Sequence, residues 1–279
     1  MSNNLPELAL SERIEDILVA RNLRGMKTVQ PHLEPGYCLR AAKLLRHCKG
    51  NIFIGTGFPV NGSFETDGPV GAIALYRAIE AIGGAPVLVC EAPLCTLLST
   101  DFNTHEINIG EDGGKQAQEA ISEHQPALII SIERPGQSSD GRYYNMRGID
   151  ISEHCADYDS FISLSVCPTI AIGDGGNEIG MGNIAEALEQ LDIRAASTGC
   201  DELLLADISN WAAHGLVALL SVISNQDMLA DWDNKAVLQM LSEGGSVDGV
   251  TGENTLTEDG VHSDVSQKLV GTLRKLSGF

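Results

Sequence analysis

Apolar positions recur along the chain in two rhythms. Short runs rich in Ile, Leu and Val occupy 51–54, 86–90, 105–109, 127–132 and 203–206, and a further one is carried by Val166, Ile170 and Ile172. Such runs read as strands buried on both faces. Between them the spacing becomes helical, over 69–82 and 113–124 and through Ile184, Ala185, Leu188 and Leu191. Strands alternating with helices of this length predict crossover units and a largely parallel sheet.

The ends of the chain read as helices. Ser11 is placed to cap a first one with Ile14, Ile17 and Leu18 on one face, and Leu39, Ala42 and Leu45 mark a second that should stop at Gly50. Asp67 or Gly68 caps the helix at 69, and Ser209 caps 210–223, where Trp211, Gly215, Leu216, Leu219 and Ile223 share a face. Helices over 234–243 and 263–277 complete the pattern. No repeat, linker or low-complexity tract divides the chain. The expected fold is one α/β domain over residues 1–279, a three-layer sandwich with glycine-rich loops at the strand carboxyl ends and 1–50 as a helical segment packed on it.

Composition narrows the partners. The 279 residues are 43% apolar and carry a net charge of −20, which argues against nucleic acid or an anionic membrane. Residues 1–50 hold eight Lys/Arg against five Asp/Glu, so the acidity is concentrated in the remainder, on which the basic segment is expected to pack. Seven cysteines form no Cys-x-x-Cys pair and read as reduced thiols. The first residues lack the basic start and apolar stretch of a signal peptide, and no apolar run reaches spanning length, so a cytoplasmic protein is expected. A homo-oligomer is compatible with the sequence.

The chemistry gathers in the loops. The stretch 172–183, Ile-Gly-Asp-Gly-Gly-Asn-Glu-Ile-Gly-Met-Gly-Asn, places five glycines around Asp174, Asn177 and Glu178. That density suits a backbone turning with positive φ or approaching something closely. A helix beginning near Gly175 would put Asp174 and Glu178 on one face. Two carboxylates that close would divide acid and base work, or bridge a divalent cation (Mn²⁺ or Mg²⁺) with oxygens from Asn177 or Asp67. The structural alternative is a capping box from Asn183 to Glu186, with Asp174 bonding loop N–H groups. Further polar loops hold Gly55, Thr56 and Gly57; Thr66, Asp67 and Gly68; Glu133 and Arg134; Asn145 and Arg147; Ser209, Asn210 and Trp211; and Asp248. In a parallel sheet the loops after strands share one edge, so Thr56, Glu133, Asp174 and Ser209 should converge there. No Walker lysine, histidine pair or Gly-x-Ser-x-Gly elbow is present, and no nucleotide cofactor is expected.

Several of these segments resemble the D-glutamate cyclase domain family: 54–58 (Ile-Gly-Thr-Gly-Phe), 65–69 (Glu-Thr-Asp-Gly-Pro) with Gly71 and Ala72, 141–148 (Gly-Arg-Tyr-Tyr-Asn-Met-Arg-Gly), 172–183, 209–211 (Ser-Asn-Trp) and 247–251 (Val-Asp-Gly-Val-Thr). The resemblance covers roughly residues 10 to 278. It implies cyclisation of D-glutamate to 5-oxo-D-proline with loss of water, helped by a cation such as Mn²⁺. For that reaction Asp174, Glu178 and Glu133 are the candidate acid, base and metal-holding groups. Arg134 or Arg147 would clamp the α-carboxylate, and the N–H groups of Gly55, Thr56 and Gly57 would receive the second carboxylate. Thr66, Asp67, Gly68, Asn145, Gly175, Gly176, Asn177, Asn210, Trp211 and Asp248 complete the substrate-binding candidates. Two other readings stay open: a metal-dependent enzyme on a phosphorylated or nucleotide ligand, and a non-catalytic amino-acid-binding module.

Overall fold

The structure is a computed structural model that describes residues 7–279. The first six residues, on which the signal-peptide reading rests, lie outside it. Three helices come first: α1 (Glu7–Leu18), the single turn α2 (Met26–Val29) and α3 (Tyr37–His47). Then strands and helices alternate: β1 (Asn51–Thr56), α4 (Pro69–Ala81), β2 (Ala85–Cys90), α5 (Leu94–Leu98), β3 (Thr104–Glu106), α6 (Gly113–His124), β4 (Leu128–Ile132), α7 (Asp159–Ser163), β5 (Thr169–Gly173), α8 (Ala185–Leu188) and β6 (Glu202–Leu205). Helices α9 (Ser209–Ser224), α10 (Asn234–Glu243) and α11 (Ser263–Leu276) close the chain.

The six strands pair in parallel in the order β3-β2-β1-β4-β5-β6. This is a doubly wound order, and the chain reverses direction between β1 and β4, the place where such sheets open a crevice at their carboxyl edge. Side chains alternate across the sheet as the pleat requires. Ile52 and Ile54 face a core shared with α1, α3, α4, α9, α10 and α11, whereas Phe53 faces a second core with α6, α7 and α8. The three-layer α/β sandwich expected from the sequence is therefore present. Among the described residues no helix is long and apolar enough to cross a membrane.

Local signals failed where tertiary partners outcompeted them. Ser11 is not a cap: it lies buried inside α1, donates to Glu15 at 2.6 Å and accepts from the Leu39 N–H at 2.9 Å. Glu15 in turn accepts from the N–H groups of Gly36 and Cys38, so the pair caps α3 from another helix. Ser209 is the first residue of α9 rather than its cap. Val166 is almost fully exposed and precedes β5, which starts at Thr169. The helical spacing from Ile184 shrinks to a 3₁₀ turn and the four residues of α8.

Gly55 has a packing reason. A Cβ there would lie 2.2 Å from the Tyr158 ring, whose hydroxyl donates to the Ile130 carbonyl at 3.1 Å. Gly55→Ala is expected to cost about 1–3 kcal/mol through overpacking, read as a lower denaturation midpoint in guanidinium at unchanged slope.

Candidate active site

Helices α4 and α9 both begin at the carboxyl edge of the sheet, and each leaves N–H groups without an intrahelical acceptor. They cap each other. Asp67, just before α4, accepts from the N–H of Ser209 through Oδ2 and of Asn210 through Oδ1, both at 2.8 Å. Asn210, in the first turn of α9, accepts through Oδ1 from the N–H of Gly68 at 2.9 Å and of Gly71 at 2.7 Å. Its amide donates to the Thr66 carbonyl and to Glu258. Gly71 permits the approach, since a Cβ there would sit 2.7 Å from that of Ala213.

Around this junction stand the carboxylates. Glu133 follows β4 with φ +47° and accepts from the Ser209 hydroxyl. Asp174 follows β5 and accepts from the Ser209 N–H at 3.2 Å. No helix starts at Gly175. Instead the loop curls back, and Glu178 accepts from the N–H groups of Gly175 at 3.0 Å and Gly176 at 2.7 Å. Gly176 has φ +102°, and a Cβ on Gly175 would lie 2.6 Å from the Met146 sulfur. Asn183 bonds Cys200 through both amide atoms and forms no capping box.

Four groups escaped the sequence reading. Arg24 donates from Nη2 to Asp174 and to the Asp207 carbonyl at 2.7 Å and from Nε to the Asp174 carbonyl at 3.2 Å, and Nη2 forms an ion pair with Asp259 at 2.6 Å. Asp259, at φ +51°, is delivered by the loop that Asp248 organises; Asp248 accepts from Val250, Thr251, Thr257 and Gly260. Glu65 and Glu258 are buried beside them. One signal existed. Asp67, Asp174 and Asp259 each precede a glycine, but so do Asp112, Asp140 and Asp248, so the pair alone does not select them.

Six carboxylates thus surround one guanidinium, and Glu258 adjoins them through Asn210. Burial pushes Glu65, Glu133 and Asp174 well above the ordinary carboxylate range, with Asp259 adding to Glu65, Glu178 to Glu133, and Arg24 opposing the shift at Asp174. Burial also raises Glu178 against the Gly176 N–H, and Glu258 against its Ser266 bond. Asp67 is pushed up to about 7, by burial first and then by Asp259. Burial disfavours the charge on Arg24, yet Asp174 and Asp259 hold it cationic more firmly than usual.

Two sets of oxygens are spaced for a cation, Glu133/Asp174/Glu178 and Asp67/Asp174/Asp259, each within 4.8 Å. Thr56 Oγ1 and Asn177 Oδ1 are buried without a partner. Thr56 Oγ1 borders Glu133 beside Gly68, and Asn177 Oδ1 lies with Glu178 Oε1 beside Gly175. Carboxylates with orphaned neutral oxygens fit a hard divalent ion such as Mg²⁺ or Mn²⁺.

Of the residues singled out from sequence, Asp67, Gly68, Glu133, Asp174, Glu178 and Asn210 meet here, bordered by Thr56, Thr66, Gly175, Gly176 and Asn177. Others lie elsewhere. Arg134 is fully buried and bonds Glu91 and the carbonyls of Thr56, Gly57 and Ala156. Gly55 lies under Tyr158, while Gly57 (φ +107°) offers Arg134 its carbonyl. Trp211 donates to Ser266 within the α9–α11 packing. Asn145 ties the N–H groups of Arg147 and Ile149, and Arg147 is exposed. Asp248 builds its loop. The arginine that reaches the cluster is Arg24.

Protons retained by the native cluster set the pH response. Unfolded, Asp67 ionises near 4; folded, it keeps its proton to about 7, so the native state binds more protons across that window. Stability of the metal-free protein should therefore fall as pH rises from about 4 to about 7, with Glu65, Glu133 and Asp174 acting in the same sense. Calorimetry in chelator-treated buffer should show the melting temperature declining across this range, and Mn²⁺ at pH 8 should restore it.

The human mitochondrial D-glutamate cyclase is 29% identical over 71% of this chain, and the match spans 37% of that protein's length. A solved exopolyphosphatase-related protein from Bacteroides fragilis aligns with 88% of this chain and 58% of its own at 10% identity, with a TM-score of 0.43. The family model for the D-glutamate cyclase-like C-terminal domain matches residues 14–274. That match spans the whole sheet and every carboxylate of the cluster, and the chain belongs to the D-glutamate cyclase-like C-terminal family.

Proposed function

We propose that the chain is a hydro-lyase of the D-glutamate cyclase type that converts D-glutamate to 5-oxo-D-proline (pyroglutamate) and water. The observation that carries this reading is the buried cluster itself, in which carboxylates of unequal proton affinity face one arginine. An α-ammonium group finds negative charge there. Once deprotonated, the amine attacks the γ-carboxyl carbon and the C–N bond closes the ring; the nitrogen then gives up a second proton as the C–O bond breaks, and the departing oxygen, having taken up two protons, leaves as water.

Asp174, whose proton affinity burial raises and Arg24 tempers, is the group assigned to take the ammonium proton. Glu133, pushed toward its acid form by burial and by Glu178, delivers a proton to the departing oxygen. Glu178 is fixed by two loop N–H groups, which suits it to holding charge in place rather than moving a proton. Nη1 of Arg24 makes no hydrogen bond among the described residues, and the side chain keeps 16% of its surface exposed, so this edge is free for a substrate carboxylate. A divalent cation bound by Glu133, Asp174 and Glu178 would displace the protons held there and, in place of the Glu133 proton, would supply positive charge for the developing oxyanion. Much of the acceleration comes from folding one flexible substrate into a ring-closing conformation, as in other intramolecular reactions.

The partner in this reading is a small amino acid, the cofactor Mn²⁺ or Mg²⁺ with no nucleotide, and the compartment the cytoplasm. Incubation of the purified protein with D- or L-glutamate, with and without Mn²⁺, followed by chiral chromatography, should give 5-oxo-D-proline from the D-enantiomer only. Asp174→Asn and Glu133→Gln should each lower kcat by roughly 10²–10⁴ while calorimetric binding of D-glutamate persists. Product under no condition removes the assignment, and binding without turnover in the unaltered protein would make the chain a binding module.

A further inference from the structure

Arg24 holds a place built like a metal site. Its Nη2 is met by the Asp174 and Asp259 carboxylates and by the Asp207 carbonyl, and carboxylate oxygens of Asp67, Asp174 and Asp259 lie within 4.8 Å of one another. Three carboxylates and a main-chain carbonyl are a hard-oxygen shell of the kind that Mn²⁺, Mg²⁺ and Ca²⁺ accept. The backbone that carries it is fixed independently of Arg24. Asp67 is held by the N–H groups of Ser209 and Asn210, and Asp174 by that of Ser209. Asp259 sits in the loop organised by Asp248, and the Asp207 side chain accepts from the N–H of Arg21 at 2.7 Å and of Leu23 at 3.0 Å. Thr56 Oγ1, fully buried and unpartnered, lies beside Gly68 at the same carboxylate edge.

We propose that Asp67, Asp174, Asp259 and the Asp207 carbonyl form a second divalent-cation position, and that the Arg24 guanidinium occupies it as a built-in substitute for the ion. Its shape and charge hold the cluster to one metal at Glu133, Asp174 and Glu178. The inference rests on that reading only through the shared Asp174. Removing the guanidinium while keeping the oxygens leaves a site of high negative charge that a divalent ion can fill.

The test is metal stoichiometry. The unaltered chain and Arg24→Met, which keeps the length of the stem, are dialysed against Mn²⁺ at pH 8 and examined by native mass spectrometry. The variant should carry one more Mn²⁺ per chain than the unaltered protein. Arg24→Lys, retaining a cation, should carry no extra ion, and Asp259→Asn in the Arg24→Met background should lose it. Equal stoichiometry in the folded Arg24→Met variant overturns the proposal. If that variant is unfolded without metal, recovery of its circular dichroism with one extra Mn²⁺ supports the proposal, and no recovery overturns it. An unaltered chain with no Mn²⁺ beside a variant with one would remove the metal from Glu133, Asp174 and Glu178 yet leave the Arg24 position standing.

Discussion

Two helix N-termini point at the same spot on the carboxyl edge of the sheet, and the structure depends on how that conflict is resolved. Alone, the positive ends of α4 and α9 would repel, and their first N–H groups would be buried without acceptors. Asp67 places a carboxylate between them, and Asn210 answers with a neutral amide that accepts from α4 and donates to Thr66 and Glu258. Each helix therefore carries the other's cap. Moving either would break both ends at once, which fixes the strand termini, and so Glu133 and Asp174, relative to one another.

That junction also explains how so many acidic groups tolerate burial. A buried carboxylate without compensation is costly. Asp67 and Glu178 draw on main-chain N–H groups, Glu133 on the Ser209 hydroxyl, and Asp174 and Asp259 on Arg24. The charge that remains is met by protons, whose affinities have separated. Asp67 titrates near neutrality, whereas Glu65, Glu133 and Asp174 are pushed well above their usual range. Groups spread in this way can exchange protons with a bound amine and with a leaving oxygen without the fold changing.

Much of this was legible in the sequence because a parallel sheet converts local order into spatial convergence. Glu133, Asp174 and Asn210 each follow a run of apolar residues, and any parallel arrangement brings them to one edge. Arg24 was not legible. It stands 150 positions from Asp174 in a polar stretch with no period, and only the packed fold shows that Asp207 anchors its loop. Arg134 misled for the opposite reason: it follows β4 directly, but its fork turns to Glu91 and main-chain carbonyls, away from the cluster. Ser11 and Ser209 carried genuine capping chemistry that was spent elsewhere, Ser11 on Glu15 and the Leu39 N–H of α3 and Ser209 on Glu133, which local propensity cannot register.

The glycine loops invite comparison with phosphate-binding sites, where a strand, a glycine turn and a helix N-terminus present N–H groups to an anion. Here the same donors are already taken. Gly175 and Gly176 give theirs to Glu178, Ser209 and Asn210 give theirs to Asp67, and Gly68 and Gly71 give theirs to Asn210. The protein fills these anion-binding positions with its own carboxylates and, on α4, with the neutral Asn210 amide, so the sign of the site is inverted. What it presents to a ligand is an excess of carboxylate oxygen, partly protonated and relieved by a single arginine. Such an excess of negative charge disfavours phosphate and suits cations, and on the function proposed above it would draw the ammonium group of an amino acid whose further carboxylate reaches Nη1 of Arg24.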